Sequence, residues 1–179
     1  MEKEIQKLEG EISQVVYDHW INHELFTWQW WLILVLTIVP WFIWRRFLDK
    51  NRKLEIFAFG LFIALIASFL DVLGWNRHLW SYPIQLLPVC TPLLPFDFTI
   101  LPIAYMLIYQ YFCKWRSFFW GSVIAAFFFA FISEPFLEWT NIYEPYGWKH
   151  IYSFPIYIGI GLLGKWLIEK MKKPNTLAC

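Results

Sequence analysis

Five long apolar segments dominate this sequence and restrict what the chain can fold into. They occupy residues 28–45, 54–75, 96–113, 117–139 and 151–169. Each has roughly the 20 residues that an α-helix needs to cross a hydrocarbon core of about 30 Å. Hydrophobic residues make up 59% of the chain, above the roughly 45–50% of soluble domains. The pattern predicts an all-α membrane protein in which five transmembrane helices form one bundle over residues 28–169.

The stretch 76–95 is also apolar, but its prolines argue against a sixth span. Proline lacks the backbone donor that a helix requires, and its ring disrupts the preceding turn. Four prolines fall in this stretch, namely Pro83, Pro88, Pro92 and Pro95. We therefore expect a loop that lies on the membrane interface or dips into it.

The basic residues are distributed unevenly between the two ends of the predicted helices. With the amino terminus outside, 11 of the 15 lysines and arginines fall on the inner side: Arg45, Arg46, Lys50, Arg52, Lys53, Lys114, Arg116, Lys165, Lys170, Lys172 and Lys173. Lysine and arginine concentrate on the cytoplasmic side of membrane proteins. The distribution therefore predicts an amino terminus outside the cell and a cytoplasmic tail over residues 170–179.

Residues 1–27, before the first apolar segment, are predicted to form an extracytoplasmic amphipathic helix. Ile5, Leu8, Ile12 and Val15 follow one another at spacings of three and four, which places them on one helix face. Two alternatives stay open for this apolar face. It packs on the mouth of its own bundle, or it binds a second chain, either a protein partner or another copy of this chain. The sequence has no basic patch that indicates nucleic-acid binding.

Three acids fall inside or at the edge of the predicted spans: Asp71, Asp97 and Glu134. Each lies 17 or 18 residues from a basic residue at the inner end of its segment, namely Lys53, Lys114 and Arg116. At about 1.5 Å per residue, all three lie about 25–27 Å above the inner boundary. We expect them to share one layer in the outer part of the bilayer.

Small residues predict which way these acids point, because small side chains mark the packed faces of membrane helices. In the fourth segment a stripe recurs every four residues: Ser122, Ala126, Ala130, Glu134 and Glu138. In the second segment a similar stripe comprises Gly60, Ala64, Ser68 and Asp71. Both stripes should face other helices, whereas Phe127, Phe128, Phe129 and Phe131 should cover much of the remaining surface.

A carboxylate buried at this depth must be paired, hydrogen-bonded or protonated. Nearby candidates for partners are Arg77, His78 and His150. Pro135 cannot donate to the carbonyl four residues earlier and disfavours helical geometry at Glu134. We therefore expect a kink or break that opens the backbone beside this acid.

Simpler roles stay open for the same acids. Asp97 follows a proline near a helix start, where an acid complements the helix dipole. Glu138 lies one turn beyond Glu134 and could simply reach the lipid head groups. Asp71 or Glu134 could form a structural ion pair with Arg77.

No cofactor or metal site is predicted. The run GIGLLG at 159–164 has the glycine spacing of a dinucleotide fingerprint, but it lies inside an apolar segment with no preceding strand. It is better explained by close helix packing. His78 and His150, the two histidines of the predicted site, are 72 residues apart and lack the spacing of zinc ligands, and no serine or cysteine nucleophile motif is present in the sequence.

Several stretches of the sequence resemble a family of small uncharacterised integral membrane proteins of spore-forming bacteria. They are DVLGWN (71–76), LWSYPIQLLP (79–88), LLPFDFTILPIAYMLIYQYF (93–112), ISEPFLEW (132–139) and WKHIYSFPIY (148–157). This resemblance implies a multi-pass protein of the bacterial cell membrane and no particular activity. A fainter similarity, without a complete motif, is to the small membrane type of lycopene cyclase. It offers a chemical precedent, in which a neutral carboxylic acid protonates an alkene and aromatic faces stabilise the resulting cation.

The sequence therefore predicts a polar site on the outer side of the bundle. Its expected ligand-binding residues are Asp71, Asp97, Glu134, Glu138, Arg77, His78 and His150. The first hypothesis is a non-enzymatic membrane component that binds a ligand, a lipid or a partner there. The second is an enzyme that acts on a lipid or isoprenoid, with Glu134 as acid and Asp71 as base or stabiliser. A third hypothesis, proton or cation passage, would need polar groups along the whole span.

Overall fold

The computed structural model describes residues 2–88 and 95–171 of the chain. The helices are α1 (Glu2–His19), α2 (Trp28–Phe47), α3 (Lys53–Asn76), α4 (Leu101–Tyr111), α5 (Trp115–Phe128), α6 (Glu134–Trp139) and α7 (His150–Met171). Three π-helical segments continue α1 (Trp20–Glu24), precede α4 (Phe96–Ile100) and join α5 to α6 (Phe129–Ser133). The described strands, β1 (Trp80–Ser81) and β2 (Glu144–Pro145), form one short antiparallel pair. The predicted all-α class is confirmed.

Four helices within the described ranges are long and apolar enough to cross a membrane: α2, α3, the continuous rod Trp115–Trp139, and α7. Their ends agree with four predicted segments to within two residues. The remaining predicted segment, 96–113, forms five residues of π-helix and eleven of α-helix. At about 1.5 Å per residue it is about 24 Å long, shorter than a hydrocarbon core of roughly 30 Å. The helices therefore indicate a multi-pass membrane protein.

The core lies where α3 packs against α4 and α7, and where α5 packs against α7. Glycines of the GIGLLG run allow this close approach. A Cβ atom on Gly161 would lie 2.4 Å from the Tyr105 ring, and one on Gly164 would lie 3.0 Å from the Phe59 ring. Gly159 has no such neighbour within 4 Å. The contacts of two of the three glycines thus agree with the helix-packing interpretation of this run.

The small-residue stripes face the interior, except at Glu138, which is exposed at the end of its stripe. Ser122, Ala126 and Ala130 are fully buried, and Glu134 continues their line at 6% exposure. The stripe on α3 is also turned inward, with these members buried or half-buried: Gly60, Ala64, Ser68 and Asp71. One expectation for the opposite surface is wrong. Phe129 is buried at 3% exposure, because it packs its ring against other aromatic rings of the core, whereas its neighbours remain outside: Phe127, Phe128 and Phe131.

Each π-helical segment holds or directly precedes a buried carboxyl residue: Glu24, Asp97 and Glu134. Two of the segments also lie two residues before a proline, Pro102 or Pro135. A π turn moves the backbone hydrogen bonds to a wider register, so the proline's missing donor and its ring are accommodated within the helix. The helix does not break at Glu134, and the expected kink or break instead takes the form of the π turn directly before this residue. Glu134 keeps helical angles, with φ −61° and ψ −49°.

The end of the bundle that carries most basic residues, here called the basic end, is held by a buried lysine. Lys165 is 1% exposed, and its Nζ donates to the carbonyls of Phe112 and Cys113 at 3.3 and 2.6 Å. These carbonyls directly follow the last turn of α4, where a positive charge interacts favourably with the helix dipole. The contact fixes the position of α7 along the bundle axis relative to α4. It therefore also helps to fix the positions of the residues at the opposite end of α7.

The opposite end, here called the loop end, is covered by residues 77–88 and 140–149. The first loop is tied down from the α1–α2 region. Glu24 Oε2 accepts the backbone N–H of Gln85 at 2.7 Å, and the indoles of Trp20 and Trp30 donate to carbonyls of Gln85 and Leu86 at 3.1 Å each. Burial raises the pKa of Glu24, and the bond from Gln85 opposes this shift. The rest of the predicted loop, residues 89–94, lies outside the described residues.

The apolar face of α1 is uncovered. None of its residues is buried, and these members of the predicted stripe are 50–68% exposed: Ile5, Leu8, Ile12 and Val15. The first alternative for this face, packing on the mouth of its own bundle, is therefore not the observed arrangement. Of the predicted tail at 170–179, Lys170 and Met171 complete α7, and residues 172–179 lie outside the described part.

Candidate functional site

A cavity of about 350 Å³ lies at the loop end of the bundle. Three separate parts of the helical bundle each contribute one carboxyl group to its lining: Asp71 from α3, Asp97 from the π-helical segment before α4, and Glu134 from the start of α6. All three are buried, with exposures of 8%, 6% and 6%. The structure thus brings together the three acids that the depth count assigns to one layer.

Asp71 is held by donors from the loop above it. Its Oδ1 accepts a hydrogen bond from the Trp80 indole at 2.8 Å and another from the Tyr82 hydroxyl. Trp80 is fixed in turn by the pairing of β1 with β2, in which it lies opposite Pro145. Burial raises the pKa of Tyr82, and the neighbouring charge of Asp71 raises it further, so this phenol remains a donor at neutral pH.

Glu134 lies at the centre of a second network. Its Oε1 accepts from the Tyr157 hydroxyl at 2.7 Å, and its Oε2 lies 2.8 Å from His150 Nδ1. The other ring nitrogen of His150 lies 3.0 Å from an oxygen of Glu138. Glu134 is 8% exposed at its side chain and Glu138 is 48% exposed. The imidazole therefore connects a buried carboxyl group to one at the surface, which is an arrangement that can pass a proton between them.

Asp97, unlike Asp71 and Glu134, accepts no side-chain hydrogen bond within the described residues. Its Oδ2 is buried and has no hydrogen-bond partner in the described part of the chain. A buried polar group without a partner costs on the order of 1–3 kcal/mol, and more if it is charged. The sequence leaves open that Asp97 complements the dipole of the helix that follows. That interaction does not supply a hydrogen-bond partner, because the side chain lines the cavity. Its free oxygen is therefore available to a ligand.

The other predicted site residues are distributed unevenly around the cavity. Arg77 lines it and is exposed, and it forms no ion pair with the described acids. The structural ion pair considered for Arg77 is thus not observed. His150 and Glu138 reach the site only through Glu134. His78 is exposed at the end of α3, has a φ of 53°, and does not line the cavity.

Several lining residues are absent from the set that the sequence predicts. Tyr157 and Ser153 come from α7, and Trp80, Tyr82 and Trp148 come from the loops. Trp148 donates to the Ser153 hydroxyl at 2.9 Å, and Ser153 lines the cavity together with Glu134. Much of the cavity wall is therefore aromatic, with hydroxyl and indole donors already used on the carboxyl groups.

The cavity also reaches the lateral surface of the bundle. Leu73 on α3 and Ile156 on α7 line it, and they are 42% and 37% exposed. These two helices are neighbours in the bundle, so the exposed lining residues place one edge of the cavity at the lateral surface. A molecule in the surrounding bilayer could enter by this route.

The chemistry of the site is that of acids, a base and hydrogen-bond donors. Within the described residues, no group of three or more His, Cys, Asp or Glu side chains is arranged to hold a metal ion. What the arrangement offers is a buried acceptor at Asp97, aromatic faces that suit a cation, and a proton path at Glu134.

Gly74 gives a test of how the loop is held over the cavity. A Cβ atom at this position would lie 2.0 Å from the Trp80 indole. Gly74→Ala should displace this ring from Asp71 and lower stability by about 1–2 kcal/mol, because overpacking costs roughly 1–3 kcal/mol and alanine recovers up to about 1 kcal/mol of helix propensity. Thermal unfolding in mild detergent would measure the loss.

The matched control for this prediction removes the ring. In a Trp80→Ala background the same Gly74→Ala change meets no indole, and it should be neutral or stabilising. Equal losses of stability in both backgrounds would contradict the assigned contact.

Comparison of the chain with protein-family models, with curated proteins and with solved structures found no match.

Proposed function

We propose that this chain is a bacterial cell-membrane protein that binds a small ligand or a lipid in the carboxyl-lined cavity. The observation that carries the proposal is Asp97, a buried carboxyl group that lines a cavity of about 350 Å³ and has an oxygen without a described partner. A buried polar atom without a hydrogen-bond partner raises the free energy of the protein, and a ligand that hydrogen-bonds this atom lowers that free energy. The stretches that resemble the family of small membrane proteins include Asp71, Asp97 and Glu134, so we also propose membership of that family.

The proposed topology has five crossings with the amino terminus outside. The helix Phe96–Tyr111 supports the fifth crossing, because it packs between α2 and α3 and runs from the cavity to the basic end. A hydrophobic stretch that is shorter than the bilayer can be accommodated by local thinning. The positive-inside rule then assigns the basic end to the cytoplasm and the cavity to the outer leaflet.

Labelling of single cysteines tests this topology. In a background with serine at Cys90, Cys113 and Cys179, a cysteine at Asn51 should resist a membrane-impermeant thiol reagent in intact cells. A cysteine at Gly147, in the loop at the opposite end, should react. Disruption of the cells should expose Asn51→Cys to the reagent as well. Labelling of Asn51→Cys in intact cells would overturn the orientation.

Ligand binding is tested by the molecules that copurify with the protein. Ala67 lines the cavity and is 5% exposed, so Ala67→Leu should fill part of the space. Mass spectrometry of the purified wild type should detect a bound small molecule that this variant lacks. Ala58→Leu, on the same helix and outside the cavity lining, should retain it. Identical bound molecules in all three proteins would contradict binding in the cavity.

The second hypothesis, an enzyme that acts on a lipid or isoprenoid, is favoured by one observation. His150 joins the buried Glu134 to the exposed Glu138, so a proton delivered from Glu134 could be replaced from the surface. Untargeted lipid profiles should separate the two functions. A lipid that changes on deletion of the gene, and that the Glu134→Gln form does not restore, would favour the enzyme. Unchanged profiles would favour binding alone.

A further inference from the structure

The charged groups of the cavity are arranged in two places. Carboxyl groups lie inside it, and the exposed guanidinium of Arg77 lines it at the end of α3. We propose that the cavity recognises a primary ammonium group next to a phosphate, as in a phosphoethanolamine head group, with the ammonium at Asp97 and the phosphate at Arg77. This proposal rests on the ligand-binding function proposed above and names the class of ligand.

Asp97 is the reason to expect a donor group on the ligand. It is only 6% exposed, and its Oδ2 has no hydrogen-bond partner in the described residues. A buried carboxylate is favourable only when it is paired and hydrogen-bonded. A ligand with several N–H donors and a positive charge meets both needs at once.

The surroundings of Asp97 favour a cation over a neutral donor. The carboxyl group of Asp71 lines the same cavity, and the rings of Phe96, Tyr157 and Trp80 form part of its wall. Aromatic faces attract ammonium groups through the negative charge of the ring face. The cavity wall therefore favours a positive charge in two ways, through its carboxyl groups and through its aromatic rings.

A primary ammonium fits better than a trimethylammonium group. The primary group has three N–H donors, whereas the trimethylated group has none and cannot hydrogen-bond Asp97. A bare metal ion fits less well, because the described residues contain no group of three metal-ligating side chains. The unsatisfied oxygen of Asp97 thus favours a primary ammonium over a trimethylammonium group, although both carry one positive charge.

Arg77 is the reason to expect an anionic group beside the ammonium. A guanidinium at this position would repel a simple cation, and Arg77 has no carboxylate within ion-pair distance in the described residues to neutralise it. Guanidinium groups bind phosphate through paired N–H donors. A zwitterion that enters with its ammonium first leaves its phosphate near the exposed end of α3.

The lateral edge of the cavity suggests where such a ligand comes from. Leu73 and Ile156 are exposed on the outer surface of the bundle and line the cavity as well. Acyl chains could remain in the bilayer beside these residues while the head group occupies the cavity. The same head group could also arrive as a free phosphate ester, so an experiment must separate the two sources.

Titration of the purified protein with defined probes tests the proposal. The probes are dihexanoyl phosphatidylethanolamine, the matching phosphatidylcholine and phosphatidylglycerol, and free O-phosphoethanolamine. We expect the phosphatidylethanolamine to raise the unfolding temperature with a half-saturating concentration about tenfold lower than that of the other two lipids, because among the three only its primary ammonium can donate a charge-assisted hydrogen bond to Asp97. An equal effect of free O-phosphoethanolamine would identify a soluble ligand; a weaker effect would identify the lipid.

Variants separate the two contacts. Asp97→Asn should fold, because the amide has nearly the same shape as the carboxyl group and the buried Oδ2 has no described partner to lose, and it should abolish the preference for phosphatidylethanolamine over phosphatidylcholine. Arg77→Gln should weaken the binding of all three lipids about equally. The matched controls, Asp18→Asn and Arg116→Gln, change exposed residues away from the cavity and should bind as wild type does.

Two results would overturn the proposal while the binding function stands. One is a bound molecule that is lost in Ala67→Leu yet contains no amine. The other is an unchanged lipid preference in Asp97→Asn. If Ala67→Leu changes neither the copurified molecules nor any probe titration, the binding function itself is wrong.

Discussion

Replacing His150 with alanine is expected to destabilise the protein by about 3 kcal/mol, because it removes the partner of a buried carboxylate. The His150 ring bridges Glu134 and Glu138 at 2.8 and 3.0 Å, and the Glu134 side chain is 8% exposed. Without the imidazole, Glu134 keeps only hydroxyl donors and must stay unpaired or take up a proton. Thermal unfolding in mild detergent would measure the loss.

A double-mutant cycle makes this prediction specific. Glu134→Gln removes the charge that needs the imidazole, so His150→Ala should cost less in that background, with an interaction energy of about 0.5–3 kcal/mol. His23→Ala, an exposed histidine at the end of the first π-helical segment, serves as the control and should have little effect. Additive losses for His150→Ala and Glu134→Gln would contradict the assigned pair.

The layer of acids can be predicted from the sequence because straight helices have a fixed rise. Lys53, Lys114 and Arg116 lie next to the ends of three helices, and counting from them places Asp71, Asp97 and Glu134 at one height. The small residues on α3 and α5 then predict which faces are buried. Both inferences rest on local periodicity, which the α-helical parts of these helices preserve.

The partners of these acids depend on geometry that has no local signal. Trp80 and Tyr82 reach Asp71 because β1 pairs with β2, and two strands of two residues leave no periodic pattern. The inward position of Tyr157 could have been inferred, since Ser153, Tyr157 and Gly161 recur every four residues on α7. This is the same kind of stripe that identifies the inward face of α5.

The helix interruptions show a second limit of sequence reasoning. Pro135 indicates that a normal helical hydrogen bond is missing, which predicts a kink or break at Glu134. The chain instead absorbs the proline in a π turn over Phe129–Ser133 and continues as a helix. Whether a helix breaks or widens depends on the packing of both flanks, and here the flanks are the buried stripe before the turn and the network of Glu134 after it.

The crossing of α4 and α7 should respond sharply to a single methyl group. Gly161 leaves room for the Tyr105 ring, and a Cβ atom there would lie 2.4 Å from it. Tyr105 is fully buried and its hydroxyl donates to the carbonyl of Tyr157 at 2.7 Å, so the ring cannot move without breaking that bond. Gly161→Ala should therefore destabilise the protein by about 3 kcal/mol, from overpacking and a lost buried hydrogen bond. Thermal unfolding in mild detergent would again measure the change.

Gly159 provides a control on the same helix. A methyl group at Gly159 would have no neighbour within 4 Å, so Gly159→Ala should stabilise the protein by up to about 1 kcal/mol through helix propensity. Opposite signs for two identical changes two residues apart would demonstrate close packing at Gly161. Equal signs would contradict it.

The crossing also determines the geometry of the site, which gives Gly161→Ala a second readout. Tyr105 bonds the backbone of Tyr157, and the Tyr157 hydroxyl donates to Glu134. A shift of α7 away from Tyr105 would draw this donor away from the acid. Ligand affinity should therefore fall in Gly161→Ala, and Tyr105→Leu should restore part of the stability by making room for the methyl group. Restored affinity in that double variant would mean that the height of α7, rather than the Tyr105 hydroxyl, positions Glu134 for binding.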